Sequence, residues 1–476
     1  MHWAAEPGQN RVDAGYLTKL TKPRSDSFVQ LMNRVAATPQ SAREEVLPST
    51  ADLHGARPRN PSRVVLQPGK MRRVNRRALL SRLRALGTAS RADLAKALGL
   101  SQPTAGKIVD ELLACGILEE VAAPSENAAL LPGASARLGR PGRLLRLDSR
   151  RPRFLVIRLG VNHTRLAAVP VGNSTEDHWA WERPTPASAR EWDRELRRAA
   201  AIVQSEDLWG VLVSVPGVVD EPGGQVLFSP NLHWTEKVDL AALIRGIWDA
   251  PVLLVQEERA LALGHHALEP ALDDFLLVDF GEGVGGAVIV DGRPHANPLP
   301  VSGELGHTPV LGNPRRCGCG ATGCLETLVS RPGLLAGFAA AQRRPSASWE
   351  EFQDQVARGG VAPWLAAALD ATGAVIAGAI NVLGLRHVVI TGSLTELPTA
   401  VMDHLTAAIR RGALWGRLGE IVVQPAPQRR IAGLVAMGLD RLVLPLAGED
   451  HLERTTVRRK TARAVLRGGA ADPANP

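Results

Sequence analysis

Residues 317–326 read CGCGATGCLE, and residues 303–307, just upstream, read GELGH. Three of the chain's four cysteines fall in this one short stretch, spaced too tightly for a disulfide framework. That crowding points to a reducing compartment and to metal or reactive-thiol chemistry. Cys317, Cys319 and Cys324 need one more ligand, and His307 supplies it. A Cys3His set suits tetrahedral Zn²⁺, and with four protein ligands such a site staples a loop and performs no chemistry itself. Buried, unliganded thiols explain the stretch poorly, because the glycines between the cysteines offer no core. Cys115 stands apart and reads as a core residue.

Upstream and downstream of this stretch the chain alternates apolar, β-branched runs with helical segments. Residues 154–159, 210–215, 252–255, 275–278 and 387–390 have the composition of strands buried on both faces. From residue 151 to 449 this pattern predicts an α/β body long enough for two lobes and a cleft.

The front of the chain is different. Residues 71–150 hold 14 Lys or Arg against 7 Asp or Glu, a net of +7, and residues 1–70 carry +4, while the rest carries −3 of the total +8. A basic front on a slightly acidic body suggests a polyanionic partner. Three short helices are expected from Val74 onward. The first places Leu79, Leu80, Leu83 and Leu86 on one stripe, the second opens with a capping box at Ser90 and Asp93, and the third starts after Ser101 and buries Ile108, Val109 and Leu112. Pro103 fits the first turn of that helix, where its missing N–H costs nothing.

Two strands, 117–121 and 144–147, follow, joined by an arginine-rich loop. Together these elements describe a winged helix-turn-helix over 71–150, whose last helix enters the major groove by its N-terminal end. Ser101, Gln102, Thr104 and Lys107 are the candidate base-contacting residues, and Arg140 and Arg143 the candidate phosphate or minor-groove contacts. Residues 1–70, rich in Pro, Ser and Arg without period, read as disordered, and 450–476 as a basic tail. Met71 leaves two readings of the first segment open, a functional arm or a start placed too far upstream. No apolar run approaches the roughly 18 residues of a membrane span, and the opening MHWAAEPGQN lacks signal-peptide regions, so a cytoplasmic location is expected.

GELGH followed by CGCGATGCLE resembles the signature of the ROK family of repressors and sugar kinases. SVPGVVD at 214–220, SPNLHW at 229–234 and DFGEGVGGAVIVDG at 279–292 are similar to further family segments, and the front end is similar to the winged helix of the family's regulators. The resemblance implies a two-lobed, actin-like ATPase-type fold with a sugar cleft. It implies that Glu304, His307 and Glu326 bond sugar hydroxyls, with Gln256 and Glu257 facing the same cleft.

Family kinases use an Asp as general base where this chain has Glu257. Their first phosphate loop has an Asp where Arg158 stands, and their second a Thr where Glu282 stands. Phosphoryl transfer depends on positioning and charge balance, so these departures predict no kinase activity. The expected function is a sugar-responsive transcription regulator, a repressor of carbohydrate genes, binding palindromic operator DNA as a dimer or tetramer with zinc as cofactor. Two other readings stay open: an active ATP-dependent sugar kinase with a DNA-binding head, and a regulator that answers to a protein partner.

Overall fold

The computed structural model of the chain describes residues 68–122, 143–172, 178–203, 207–295 and 301–444. The expected N-terminal extension up to residue 67, the loop holding Arg140 and the tail at 450–476 lie outside them.

The described chain opens with helices α1 (Pro68–Leu86), α2 (Arg91–Ala97) and α3 (Gln102–Ala114). They pack on a small antiparallel sheet of β1 (Ala89–Ser90), β2 (Leu118–Val121) and β3 (Leu144–Leu147), in the order β1-β3-β2. The caps decide where the helices start. Ser90 Oγ accepts from Asp93 N while Asp93 accepts in return from Ser90 N, and Ser101 Oγ accepts from Thr104 N. Leu79, Leu80 and Leu83 are buried, but Leu86, expected on the same stripe, is 44% exposed because the helix runs past its packing surface. Cys115, read as core, caps the end of α3 and is only half-buried.

Among the described residues the body contains two sheets of five strands built to one plan. The first lobe holds β4 (Phe154–Leu159), β5 (His163–Val169), β6 (Trp181–Pro184), α4 (Ala189–Ile202), β7 (Gly210–Val215), the hairpin β8 (Val218–Asp220) and β9 (Gln225–Phe228), α5 (Leu240–Arg245), β10 (Val252–Gln256) and α6 (Glu257–Leu268). The second holds β11 (Phe275–Phe280), β12 (Val284–Val290), β13 (Arg293–Pro294), α7 (Glu326–Val329), α8 (Arg331–Ala341), α9 (Trp349–Gly359), α10 (Pro363–Leu383), β14 (His387–Gly392), α11 (Thr399–Gly412) and β15 (Val422–Pro425), and the last helix, α12 (Arg430–Gly438), packs back on the sheet of the first.

The sheet orders are β10-β7-β4-β5-β6 and β13-β12-β11-β14-β15. In each, the first strand pairs antiparallel with the second and parallel with the fourth, as in Val156 opposite Ala167 and Leu212, and Val278 opposite Gly286 and Ile390. Strands β4, β7 and β11 are covered on both faces, which is why their sequences are unbroken apolar runs.

The helices that close the two halves, α6 and α12, cross at two glycines. A Cβ on Gly264 would lie 1.8 Å from the Arg429 carbonyl oxygen, and one on Gly433 would lie 1.8 Å from that of Ala260. Only hydrogen fits at either point. The front helices are tied to the same region: Leu79, Leu83 and Leu145 share one core with Leu434, Val435 and Val443. Arg73 and Arg77 of α1 pair with Asp440, at 2.8 and 3.0 Å, in the single π turn (Leu439–Val443) that ends α12.

One expectation about apolar runs needs correction. Helix α10 is 21 residues long with a mean hydropathy of 1.6 over its most apolar window, enough by length and composition to cross a membrane. One of its faces, from Leu365 through Leu369, Thr372 and Ile376 to Ile380, is buried in the second lobe, while its Asp370 pairs with His404 and Arg411 of α11. It is apolar because it is a core helix.

Candidate functional site

The cysteine loop and His307 come together. His307 Nδ1 lies 3.5 Å from Cys317 Sγ, Cys319 Sγ lies 3.6 Å from Cys324 Sγ, and all four ligand atoms lie within 4.8 Å of one another. Four ligands about 2.3 Å from a tetrahedral centre stand roughly 3.8 Å apart, so the cluster fits a structural zinc ion. Burial pushes the Cys317 and Cys324 thiols up, and a divalent cation reverses that by binding the thiolates. The loop is braced around the ligands. Asn313 Nδ2 donates to the Cys324 carbonyl (3.1 Å) and Thr327 Oγ1 (2.9 Å), and Arg315 Nη1 donates to the carbonyls of Thr327 (2.6 Å) and Gly333 (3.1 Å).

Two carboxylates lie beside this loop. Glu326, at the start of α7, accepts from the Val284 backbone N–H at 3.0 Å and lies 3.7 Å from Cys317 Sγ. Glu304 lies 3.7 Å from His307 Nε2, the ring nitrogen opposite the one that faces the thiols. Gln256 Nε2 donates to Glu304 (3.4 Å) and to the Ser302 carbonyl (3.2 Å). Burial and the charge of Glu326 push the Glu304 carboxyl up to about 7. Gly303 holds the segment close: at φ +76 its Cβ would meet the Gly286 carbonyl oxygen at 1.6 Å. A Cβ on Gly318 would lie 3.3 Å from Asn231 Oδ1 and from the Pro230 carbonyl oxygen, so the loop of the second lobe touches the SPNLHW segment of the first.

Glu257, the first residue of α6, is engaged differently. Arg158 Nε donates to Glu257 Oε1 at 2.9 Å, and Arg430 Nη2 reaches the same oxygen at 2.6 Å. Burial alone would raise this carboxyl, but the two guanidiniums hold it below the usual carboxylate range. Its neighbour Glu258 moves the opposite way, pushed well up by burial and by the charges of Glu257 and Glu304. Asp279, at the end of β11, accepts from Thr391 Oγ1 (2.6 Å) and Gln428 Nε2 (2.8 Å). Glu282 lies half-buried in the Gly281–Gly283 turn.

Sequence reading missed Arg430 and Glu221. Glu221 is buried and accepts from Arg259 (3.0 Å), Arg441 (2.9 Å) and the Gln256 backbone N–H (3.4 Å). Nothing local marks either residue, since the partners of Arg430 lie more than a hundred positions away.

In the front helices, Ser101, Gln102, Thr104 and Lys107 are all exposed on the first turns of α3. Arg143 is ion-paired with Glu120, which also meets Arg91 at 3.4 Å. Arg140 lies outside the described residues.

Two lobes of one strand plan and a zinc-type loop with acids clustered beside it define a two-lobed α/β fold of the sugar-kinase type. The chain belongs to the ROK family, whose model matches residues 155–438. It is 32% identical over 129 residues to the xylose repressor of Caldicellulosiruptor bescii, a match covering 27% of this chain and 32% of that one. It is 30% identical over 182 residues to the N-acetylmannosamine kinase of Salmonella typhimurium, covering 37% and 62%. The chain thus spans less than two thirds of the length of either relative. A solved ROK family transcriptional regulator, a homologue of the E. coli MLC protein, superimposes with a TM-score of 0.60 over 79% of this chain and 98% of that one, at 22% identity. That likeness is one of fold.

Proposed function

We propose that the chain is a sugar-responsive, DNA-binding transcription regulator, a repressor of carbohydrate genes, whose kinase-type body serves as a sensor and not as an enzyme. One observation carries the reading: a ROK body whose position for a general base holds an ion-paired Glu257 is joined to a capped helix with an exposed polar first turn. A general base has to be free to take a proton, and two guanidiniums on one oxygen oppose that. Glu282, where the family's second phosphate turn has a Thr, adds to the argument, because a carboxylate beside a transferring phosphoryl group repels it.

In this account α2, α3 and the strands β2 and β3 form the winged helix. Ser101, Gln102, Thr104 and Lys107 meet base edges, while Arg140 and Arg143 meet the backbone. A dimer on a palindromic operator spaces its half-sites about 34 Å apart. Gln256, Glu257, Glu304, His307 and Glu326 line the sugar cleft, and zinc on His307, Cys317, Cys319 and Cys324 fixes the loop that presents them. Carboxylates suit a polyol because each oxygen accepts from a hydroxyl, and a buried acceptor left unpaired rejects ligands that lack it. Kinship with a xylose repressor supports the regulatory role, and kinship with an N-acetylmannosamine kinase supports a carbohydrate ligand.

Glu304→Ala tests the division of labour. DNA affinity should stay within about twofold of the parent while the sugar response disappears, since the change removes one hydroxyl acceptor and touches no head residue. Loss of both would contradict the account. Sugar-dependent ADP release in a coupled assay would favour the kinase reading instead.

A further inference from the structure

We infer that two copies of this chain pair through an exposed apolar face of the second lobe, built from the end of α10 and the turn after α11, about a twofold axis beside Leu418. The inference rests on the proposed function for the need of two copies on a palindrome, and adds to it the face that joins them.

Eleven large apolar side chains are exposed among the described residues, and five of them belong to these two segments. Val382 and Leu383 close α10, and Leu414, Trp415 and Leu418 lie in or just after the short helical turn Leu414–Arg417. Asn381 ties the segments together: its Nδ2 donates to the Gly412 carbonyl at 3.2 Å, and its Oδ1 accepts from the Leu414 backbone N–H at 2.8 Å. Between them runs a groove of about 320 Å³, walled by Ile380, Leu385, Trp415, Leu418 and Ile421. Val382 is 87% exposed, Leu418 73% and Leu414 60%. A single exposed leucine needs no explanation, but a group of five rimmed by charge marks a site of association. The face is also preformed. The Leu418 and Gly419 N–H groups donate to the Trp415 carbonyl at 2.9 and 2.8 Å, Arg410 Nε donates to the Ile421 carbonyl at 3.1 Å, and a Cβ on Gly419 would lie 2.9 Å from the Trp415 indole. Docking on such a face costs little in ordering it.

Its charges select the occupant. Arg417 and Glu420 flank Leu418, both are exposed, and neither enters an ion pair among the described residues. A face that joins two identical copies must carry both members of every pair it makes. A half-turn about Leu418 sets the Arg417 of each copy against the Glu420 of the other, so two ion pairs close around two leucines. The chain's own basic tail fits less well, because its Arg454, Arg458, Arg459 and Lys460 would meet Arg386 of the groove wall and Arg417 as like charges. A stable pair buries about 800 Å² on each side around an apolar centre in which Trp and Arg are favoured. The five apolar side chains supply that centre, and Arg386, Arg417 and Glu420 its rim.

The test is sedimentation velocity of the full chain from about 1 to 100 μM, without DNA or sugar. The parent should be at least a dimer. Leu418→Glu should remove one step of association, dimer to monomer or tetramer to dimer, or weaken it at least about thirtyfold, the size of an interface hot spot. Arg417→Glu and Glu420→Arg should each weaken pairing, and the double reversal should bring it back to within about threefold of the parent, as twofold pairing of these two residues requires. All three positions are exposed, so thermal melts close to the parent's are expected and show that the variants fold.

Pairing unchanged in Leu418→Glu, or a double reversal no tighter than the single ones, would overturn the inference and leave the regulator reading standing. A parent that stays monomeric over the whole range would overturn it too, and would take the dimer out of the operator reading as well.

Discussion

At Glu257 two guanidiniums, one from β4 and one from α12, close on the same carboxylate oxygen. Removing the carboxylate charge leaves two facing cations in a buried place, so Glu257→Gln should destabilise the chain by about 3–5 kcal/mol at pH 7, read from denaturant melts. The sign with pH follows from its lowered folded-state pKa. The ionised carboxylate adds stability in full above its unfolded value near ~4.3, and this is lost as pH falls through the folded-state value. The stability gap between parent and Glu257→Gln should therefore shrink below about pH 4; a gap constant from pH 7 to 3 would rule the ion pair out as its source.

The zinc site makes a second prediction at this scale. The parent should carry about one zinc per chain by elemental analysis, and Cys324→Ser should lose it along with several degrees of thermal stability. A zinc-free parent of unchanged stability would sink the assignment. These ligands were legible in the sequence because all four lie between positions 307 and 324. Arg430 and Glu221 were not, because their partners come from other elements and carry no local spacing.

Among the elements, α12 joins both ends of the account. Its first residue, Arg430, holds Glu257 of α6, and its terminal π turn holds Arg73 and Arg77 of α1 through Asp440. The next residue, Arg441, holds Glu221, which also bonds the Gln256 backbone. Asp440→Asn should keep ligand affinity within about twofold but cut the ligand-induced change in DNA affinity by at least about fivefold, the lower end of typical coupling energies. Paired calorimetry and anisotropy would show it, and an unchanged response would remove this turn from the coupling.

Legibility among the elements followed burial. The strands at 154, 210, 252, 275 and 387 were readable because both faces are covered and the runs are apolar. Strands β5 and β12 were not. The first alternates buried and half-exposed positions with Thr164 and Arg165 in its run, and the second has two consecutive glycines where the Gly303 segment packs against it. The three front helices were readable from caps and stripes, although α1 begins at Pro68, earlier than its leucine pattern.

Across the whole molecule, the repeated strand plan has no trace in the sequence, because the two halves share an order of pairing and not a residue pattern. The shared plan still has a physical consequence. Helices α6 and α12 follow the last strands of their respective sheets and meet where glycines allow no side chain, so the halves join through one tight crossing. Helix α1, at the start of the basic front, is packed and ion-paired against this same region. A ligand that draws the lobes together would act on the crossing and on α1 at once. Moving the molecule almost fully from one state to the other requires roughly 10⁴-fold preference for one of them.

The most direct test is fluorescence anisotropy of the full chain on the DNA upstream of its own coding region, at fixed salt, titrated with a panel of common hexoses and pentoses. The account predicts binding at least about 10³-fold tighter than to a scrambled duplex, released by one member of the panel. Equal affinity for both duplexes, or specific binding that no ligand alters while sugar-dependent ADP release appears, would contradict it.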